Sequence, residues 1–276
     1  YEQQYKEIFE VQTSDQNYEE QVMMNGLGLL KVKPQGESIT YDSMSQGASK
    51  LYRPVVFSTG FIVTEEEQED NKYAEVSAFF SRELGNAARI TKETVHANVL
   101  NRAFNSSYTG IDALELCSSV HKLGKGGTYS NLLTASDLSE ESLEAAIIQA
   151  ASFVDEAGKK IAVRPQKLII PVNEMFNAER ILKSTLQSNS ANNDVNALRV
   201  RGALPQGFVV NNYLTDTDAW FIMTDCQQGL QSFQRRALRI MNETPDFDTG
   251  NIKYKIDERY SLGWTDAKCI LGNAGA

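Results

Sequence analysis

The sequence has few of the residues that bind metals or form covalent cross-links. Its 276 residues include three cysteines and two histidines, and Cys117, Cys226 and Cys269 lie far apart. Structural zinc sites need four such ligands at short spacings, and disulfide-rich folds pair many cysteines in a short chain. No apolar run approaches the roughly 18 residues of a membrane-spanning helix. These absences argue against a zinc protein, a disulfide scaffold and a membrane protein.

The charge balance is acidic. There are 27 Lys and Arg residues against 36 Asp and Glu residues, which gives a formal net charge of −9. This balance argues against a protein whose main task is to bind nucleic acid phosphates. Hydrophobic residues make up 41% of the chain and charged residues 23%, as in ordinary globular proteins. The length predicts one large domain or two smaller ones.

Residues 1–25 are mostly polar, with apolar side chains at Tyr5, Ile8 and Phe9. The pattern predicts a short amphipathic piece followed by an extended arm. Such a segment has too little apolar surface to fold alone, so we expect it to lie on a larger surface. That surface belongs either to the same subunit or to a neighbouring one.

Residues 26–63 predict a long hairpin. Ser38–Asp42 alternates strand-forming residues, residues 43–49 form a polar tip, and the return strand begins at Leu51 with Gly60 as a candidate bulge. An isolated two-stranded hairpin is marginally stable in water. We therefore expect this projection to pack on another surface.

Residues 64–104 carry the strongest helical pattern. Thr64 and Glu67 match a capping box, and apolar residues recur three or four apart as far as Val99, with Ala87 and Thr91 on the predicted buried face. Gly85 marks a position for a kink or a break. An unbroken helix of this length would span about 60 Å and serve as a spine.

The remaining sequence mixes helices and strands. A capping box at Asp137 and Glu140 predicts a helix, and a strand over residues 167–171 and a helix from Met175 follow. Ser188–Asn196 predicts a polar surface loop. Residues 230–241 are expected to pair with an alternating strand that begins at Ile252. The elements together predict an α+β chain.

Two segments invite a chemical interpretation. Cys117 and His121 lie four residues apart, as in a thiolate–imidazole pair, but we can place no orienting carboxylate beside His121. A buried structural cysteine near a surface histidine is favoured over a cysteine-dependent hydrolase. The glycine-rich run Gly124–Thr128 differs from a phosphate-binding loop because its lysine precedes the glycine pair, so it predicts a turn.

Two charged clusters have electrostatic explanations. The acidic run Glu65–Asp70 complements the positive end of a helix, so a calcium site is not predicted. Arg235, Arg236 and Arg239 form the main basic cluster with two nearby lysines, Lys253 and Lys255. Ion pairing is the expected role of these residues, and weak contact with a polyanion is the alternative. No catalytic, cofactor-binding or metal-binding residue is predicted.

The order of these parts resembles the major capsid protein of tailed bacteriophages, which has the Hong Kong 97-like fold. The run Gly126–Thr134, followed by Asp137-Leu138 and residues 143–146, resembles the major head subunit of Mu-like phages. The resemblance implies an N-terminal arm over residues 1–25 and an extended loop, a β-hairpin, over 26–63. It further implies a peripheral domain with the spine helix over 64–108 and 230–264, and an axial domain over 109–229 and 265–276.

The resemblance also implies a function. The chain would be a structural, non-enzymatic major capsid protein of the virion that self-assembles into pentamers and hexamers of an icosahedral shell around double-stranded DNA. Assembly would take place in the bacterial host cytoplasm, with portal and scaffolding proteins, in some cases a decoration protein, and weak contact with the DNA. The alternative within the same fold is an encapsulin-like nanocompartment shell.

The resemblance implies contacts between subunits as well. Some family members join subunits by a Lys–Asn isopeptide bond. Lys50 lies near the predicted hairpin tip, but we match no Asn and Glu partners for it, so we predict a non-covalent shell. The predicted contact residues are Ile39, Tyr41, Met44, Lys50, Tyr52 and Phe57 in the extended loop, Tyr5, Ile8 and Phe9 in the arm, and Asn189, Asn192 and Asn193 in the axial loop.

Overall fold

The computed structural model describes residues 3–70, 73–187, 194–243, 245–246 and 248–276. Its main elements are two four-stranded sheets, against which the helices and loops pack. The strands are β1 (Glu10–Thr13), β2 (Glu19–Asn25), β3 (Ser45–Tyr52), β4 (Val55–Val63), β5 (His121–Lys122), β6 (Thr128–Tyr129), β7 (Pro165–Ile170), β8 (Phe208–Val210), β9 (Trp220–Thr224), β10 (Leu230–Asn242), β11 (Ile252–Trp264) and β12 (Ile270–Asn273). The helices are α1 (Glu65–Asp70), α2 (Tyr73–Asn101), α3 (Glu140–Ala151), α4 (Met175–Lys183) and α5 (Ala197–Arg201), with 3₁₀ turns at Gln4–Glu7, Val172–Glu174 and Ala267–Cys269. The predicted α+β class is confirmed.

The first sheet has the strand order β1-β10-β11-β4. β10 and β11 form a long antiparallel pair, which confirms the predicted pairing of these segments. β1 lies parallel to β10, with Glu10 opposite Gln231, and β4 lies at the other edge beside β11. This sheet therefore joins the beginning of the sequence to its end.

α2 is the predicted spine helix. The capping box before it is confirmed, because the Thr64 amide donates to Glu67 Oε2 at 3.2 Å and the Glu67 amide donates to Thr64 Oγ1 at 3.3 Å. α2 continues through Gly85, so the helix does not end at the predicted position. Its 29 residues span about 43 Å at 1.5 Å per residue.

The buried face of α2 differs from the predicted one. Ala87 and Thr91 were expected to be buried, but both are exposed. Among the α2 side chains from residue 79 onward, the buried ones lie mainly in the second half of the helix, where Glu93 and His96 lie on the same face as Leu100. Leu84 is buried as predicted, but because two polar residues belong to the buried face, apolar periodicity alone did not identify it.

The N-terminal arm packs on its own subunit. The Tyr5 amide donates to Glu93 Oε2 at 3.0 Å, and Ile8 and Phe9 join a core cluster that includes Leu100. Only 2% of the Ile8 side chain is exposed. Tyr5, Ile8 and Phe9 were predicted to contact a neighbour, but the core of their own chain covers them.

The predicted hairpin is shifted along the sequence. β2 pairs with β3, placing Glu19 opposite Tyr52, whereas β4 pairs with β11. Ser38–Asp42 was predicted as a strand, but it lies in residues 26–44, all of which the structure describes as irregular apart from a turn. Gly60 is not a bulge, because the β4–β11 register is regular through it. A Cβ atom at Gly60 would overlap the carbonyl oxygen of Tyr254, which explains the glycine.

The second sheet has the order β12-β9-β7-β8. α3 covers it with Leu143, Ala146 and Ala150. α3 begins after Ser139 and not after Asp137, because Ser139 is the residue whose side chain caps the helix. β12 was not predicted.

One core cluster lies between the two sheets. It contains Leu230 and Trp264 from the first sheet, Ile169 and Phe221 from the second, and Leu100 from α2. The position of each sheet therefore depends on the other through shared packing.

Candidate assembly surfaces

Residues 26–44, called loop 26–44 below, expose an unusual amount of apolar surface. They connect β2 to β3 at the far end of that hairpin. Leu30 and Val32 are almost fully exposed, and 85% of Tyr41 is exposed. The other exposed apolar residues of the loop are Leu27, Leu29, Ile39 and Met44. Exposed apolar surface of this extent indicates a contact with another protein.

The predicted contact residues of the extended loop fall into two groups. Ile39, Tyr41 and Met44 are exposed on loop 26–44, where a neighbour can reach them. Tyr52 and Phe57 are engaged within their own chain. The Tyr52 hydroxyl lies 2.6 Å from Thr265 Oγ1, and Phe57 stacks on Tyr260 with ring centroids 4.6 Å apart. Burial raises the pKa of Tyr52 to about 12.

Lys50 also contacts its own subunit. It lies within β3 opposite Gln21, and not at a hairpin tip. Its Nζ donates to the Thr109 carbonyl at 3.4 Å and lies 5.7 Å from the Trp264 ring centroid. Desolvation lowers the pKa of Lys50. These contacts hold the hairpin on the subunit.

The other predicted contact residues cannot be placed. Asn189, Asn192 and Asn193 lie outside the described residues. Their role in contacts between subunits stays a prediction.

The edge strand β4 is a surface that the sequence analysis did not single out. Its nine residues contain neither a charged residue nor a proline, and Val55, Val56 and Ile62 are exposed. Edge strands usually carry charges, prolines or bulges that prevent pairing with other chains. Its signal in the sequence is the uncharged run Val55–Val63, which follows directly after Pro54.

Cys117 and His121 do not form a nucleophilic pair. A carboxylate does orient His121, because its Nδ1 donates to Asp112 Oδ2 at 2.6 Å; sequence analysis had found no such residue. The second ring nitrogen lies 3.3 Å from the Leu116 carbonyl, and the imidazole is completely buried, so the predicted surface position was wrong. Burial raises the pKa of the Cys117 thiol far above its usual range, which disfavours a reactive thiolate.

Comparisons with known proteins identify the family and the fold of the chain. The sequence model of the phage capsid protein family matches residues 47–273. The chain belongs to this family. Its role is therefore structural, as a major capsid protein, and its place is the capsid of the virion. No curated protein sequence matches it.

Solved capsids show the same fold at low sequence identity. The capsid of the cyanophage P-SCSP1u is 12% identical with a TM-score of 0.64, and the match covers 98% of this chain and 86% of that one. The capsid of a native GTA particle is 10% identical with the same TM-score, covering 99% and 90%. A virus-like particle from Pyrococcus furiosus is 10% identical with a TM-score of 0.54, covering 97% and 91%. The predicted Hong Kong 97-like fold is confirmed, whereas the finer resemblance to Mu-like phages stays a prediction.

The basic cluster of the capsid protein is used in ion pairs. Arg239 binds both carboxylate oxygens of Asp257, at 2.6 and 3.0 Å, and Arg236 contacts the same carboxylate at 3.1 Å. Arg235 lies 3.1 Å from Asp15. The hydrogen bond from Arg239 holds the pKa of Asp257 below its usual range. The expectation of ion pairing is confirmed for these three arginines.

Groups of metal ligands and membrane-spanning helices are both absent from the described ranges. No three His, Cys, Asp or Glu side chains in them are grouped to hold a metal ion. Among the helices in the same ranges, none has both the length and the apolar character needed to cross a bilayer.

Proposed function

We propose that the capsid protein assembles into pentamers and hexamers of an icosahedral shell, and that this shell encloses double-stranded DNA. The observation that carries the proposal is loop 26–44, with its exposed apolar side chains on a projecting hairpin. Burying one leucine of this kind contributes about 1.5–3 kcal/mol. Because every subunit of a closed shell repeats the contact, modest energies add up to a stable assembly.

The two sheets support a division of labour within the subunit. We propose that the first sheet and α2 form the peripheral domain, and that the second sheet, joined by β12, forms the axial domain. Residues 188–196 would then lie near the axis of each capsomer. Loop 26–44 and the uncharged edge strand β4 would contact neighbouring subunits.

The net charge of −9 supports only weak contact with the packaged DNA. Portal and scaffolding proteins, and in some shells a decoration protein, complete the proposed set of partners, with assembly in the cytoplasm of a bacterial host. The proposal includes no catalytic reaction, which agrees with the buried, high-pKa thiol of Cys117.

The first test concerns assembly. Purified wild-type protein is expected to sediment as closed shells that negative-stain microscopy resolves as uniform particles. The triple variant Leu29→Ser, Leu30→Ser and Val32→Ser removes apolar surface that touches little in its own subunit. We expect it to remain folded, by circular dichroism, but to sediment as small species.

The matched control also changes three exposed residues of loop 26–44, but these residues are polar. The variant Lys31→Ser, Lys33→Ser and Gln35→Ser is expected to form shells like the wild type. Closed shells from the apolar triple variant would contradict the proposed role of the loop. Particles from virus-producing cells should hold nuclease-protected DNA, whereas a co-purifying cargo enzyme would support a nanocompartment.

A further inference from the structure

We infer that the glycine turn Leu123–Gly127 supports the far end of the β2–β3 hairpin and so fixes the direction in which loop 26–44 leaves the subunit. The contact between Gly124 of this turn and Asn25 of the hairpin is called the seat below. The turn joins β5 to β6, and Gly124 lies directly against Asn25 at the end of β2. The inference rests on the proposed function, since the direction of the loop matters for contacts between copies.

The hairpin is held on the subunit both at its base, where Lys50 makes the contacts described above, and at its far end. At its base, the Tyr52 hydroxyl donates to Thr265 Oγ1 at 2.6 Å, and Thr265 Oγ1 donates to Gln21 at 2.6 Å. At its far end, Asn25 lies on Gly124. Between the two supports is a cavity of about 190 Å³, lined on the hairpin side by Met23 and Ala48. The far support is thus a separate contact across a gap.

Gly124 is a glycine because of this contact. A Cβ atom there would overlap Asn25 Oδ1 and would lie 2.7 Å from Asn25 Cγ. Gly126 and Gly127 are glycines for another reason, since both have positive φ angles, +96° and +97°. A Cβ atom at Gly126 would meet nothing within 4 Å. Substitutions at Gly124 and at Gly126 therefore separate the effect of the contact with Asn25 from the effect of strain in the turn.

The seat is tied to the core of the subunit. The Gly124 amide donates to Glu156 Oε2 at 2.6 Å, and the other oxygen of Glu156 accepts from Lys268 Nζ at 2.6 Å. Lys268 is 2% exposed. The Lys125 amide donates to the Glu156 carbonyl at 3.1 Å. Because the turn is fixed to a buried ion pair, it does not simply move away when the hairpin presses on it.

The hairpin side of the contact is also fixed. Asn25 Nδ2 donates to Ser45 Oγ at 3.0 Å, which joins the ends of β2 and β3. The carboxylate of Asp42 accepts from the Gly28 amide at 2.6 Å and lies 3.6 Å from Lys125 Nζ. The root of loop 26–44 is therefore held to the same turn by a second contact.

Geometry amplifies a small movement at the seat. Asn25 lies four residues beyond Gln21, about 13 Å along the strand at roughly 3.3 Å per residue. Restoring ordinary van der Waals distance to an added Cβ atom needs a shift of roughly 1 Å. A shift of that size at Asn25, about 13 Å from Gln21, tilts the hairpin by roughly 5°. Because loop 26–44 lies beyond Asn25, its displacement is larger than the shift at Asn25.

The test is a double-mutant cycle on Gly124 and Asn25. Gly124→Ala introduces the overlap, Asn25→Ala leaves a gap, and in the double variant the new Cβ atom occupies the vacated space. We expect each single variant to form roughly tenfold fewer shells of wild-type diameter, and the double variant to recover most of them. Gly126→Ala is the control; it strains the turn without touching the hairpin, and it should keep the wild-type diameter.

A second measurement reads the seat in the unassembled subunit. In the Leu29→Ser, Leu30→Ser and Val32→Ser background, Gly124→Ala should speed amide hydrogen exchange in β2 and β3, and adding Asn25→Ala should reverse this. The inference would be wrong if Gly124→Ala formed shells of wild-type diameter and left amide hydrogen exchange in β2 and β3 unchanged. Failure of wild-type protein to form shells would instead overturn the proposed function, and the exchange measurement would still decide on the seat.

Discussion

His96 is a buried histidine at the contact between the N-terminal arm and α2. Its Nδ1 donates to the Lys92 carbonyl at 2.7 Å, and its Nε2 accepts from Ser232 Oγ at 2.9 Å. The ring centroids of Tyr5 and Phe9 lie 4.5 and 4.9 Å from the centroid of the imidazole. Desolvation lowers the pKa of His96 to about 4, so the side chain is neutral at physiological pH.

This pKa predicts a loss of stability in mild acid. The unfolded chain takes up a proton near pH 6.5, whereas folded His96 does so only near pH 4. The contribution is therefore fully present above pH 6.5 and falls by about 3 kcal/mol as the pH drops toward 4. Urea unfolding of the Leu29→Ser, Leu30→Ser and Val32→Ser variant, which is expected not to assemble, measures this loss of stability at several pH values.

The control for this effect is His96→Gln in the same background. It should remove the extra pH dependence while keeping Glu93, whose pKa burial raises and whose titration therefore changes stability in the opposite direction. Equal loss of stability between pH 6.5 and 4 in both proteins would contradict the assignment to His96.

At the scale of elements, the start of α3 shows how local patterns compete. Asp137 and Ser139 are both good N-cap residues, and the sequence predicted Asp137. The structure uses Ser139, whose Oγ accepts from the Ser142 amide at 3.1 Å while the Ser139 amide donates to Ser142 Oγ at 2.9 Å. Leu138 is buried in the core just before this cap. Packing of that side chain fixes the entry of the chain into the helix.

The two candidate caps predict different mutational effects. Ser139→Ala removes the capping side chain and should lower the free energy of unfolding by about 1 kcal/mol. Asp137→Ala is the matched control and should change it by only a few tenths of a kcal/mol, since the Asp137 atom that contacts the helix start is its backbone carbonyl. Chemical denaturation of the non-assembling background measures both. A larger loss in Asp137→Ala would contradict the observed cap.

Sequence reasoning succeeded where one segment contains its own signal. The Thr64 cap and the alternation from Ile252 are local, and both elements form as predicted. It failed where the partner is distant: β1 is four residues long and exists because β10 lies beside it, more than 200 residues away in sequence. Asp112, nine residues before His121, was missed because the intervening chain is irregular. Ile39, Tyr41 and Met44 were predicted as contact residues and are exposed on loop 26–44, whereas the seat depends on a contact between Asn25 and Gly124 that no local pattern encodes.

At the scale of the whole molecule, the core of the subunit is packed within one chain, whereas its projecting parts expose apolar side chains. The arm, both sheets and α2 share packing within one chain. Loop 26–44 and the outer edge of β4 remain uncovered. We therefore expect contacts between copies to form between folded subunits, with the arm remaining in its own core.

The contacts of Lys50 within its own subunit predict a shell without covalent joints. Its Nζ is directed to the Thr109 carbonyl and the Trp264 ring. Wild-type shells boiled in sodium dodecyl sulfate should therefore run as a single band near 30.7 kDa. A ladder of multimers that disappears in Lys50→Arg shells would contradict this expectation.

The placement of β1 and β4 on either side of the β10–β11 pair has a consequence for biosynthesis. The ribosome releases β1 and β4 long before it makes the strands that pair with them, so the first sheet cannot close until nearly all of the chain has emerged. Such distant pairings also slow folding. Loop 26–44 therefore leaves the ribosome before its subunit can fold, and we expect the first sheet, with its uncovered β4 edge, to form only after β11 has been made.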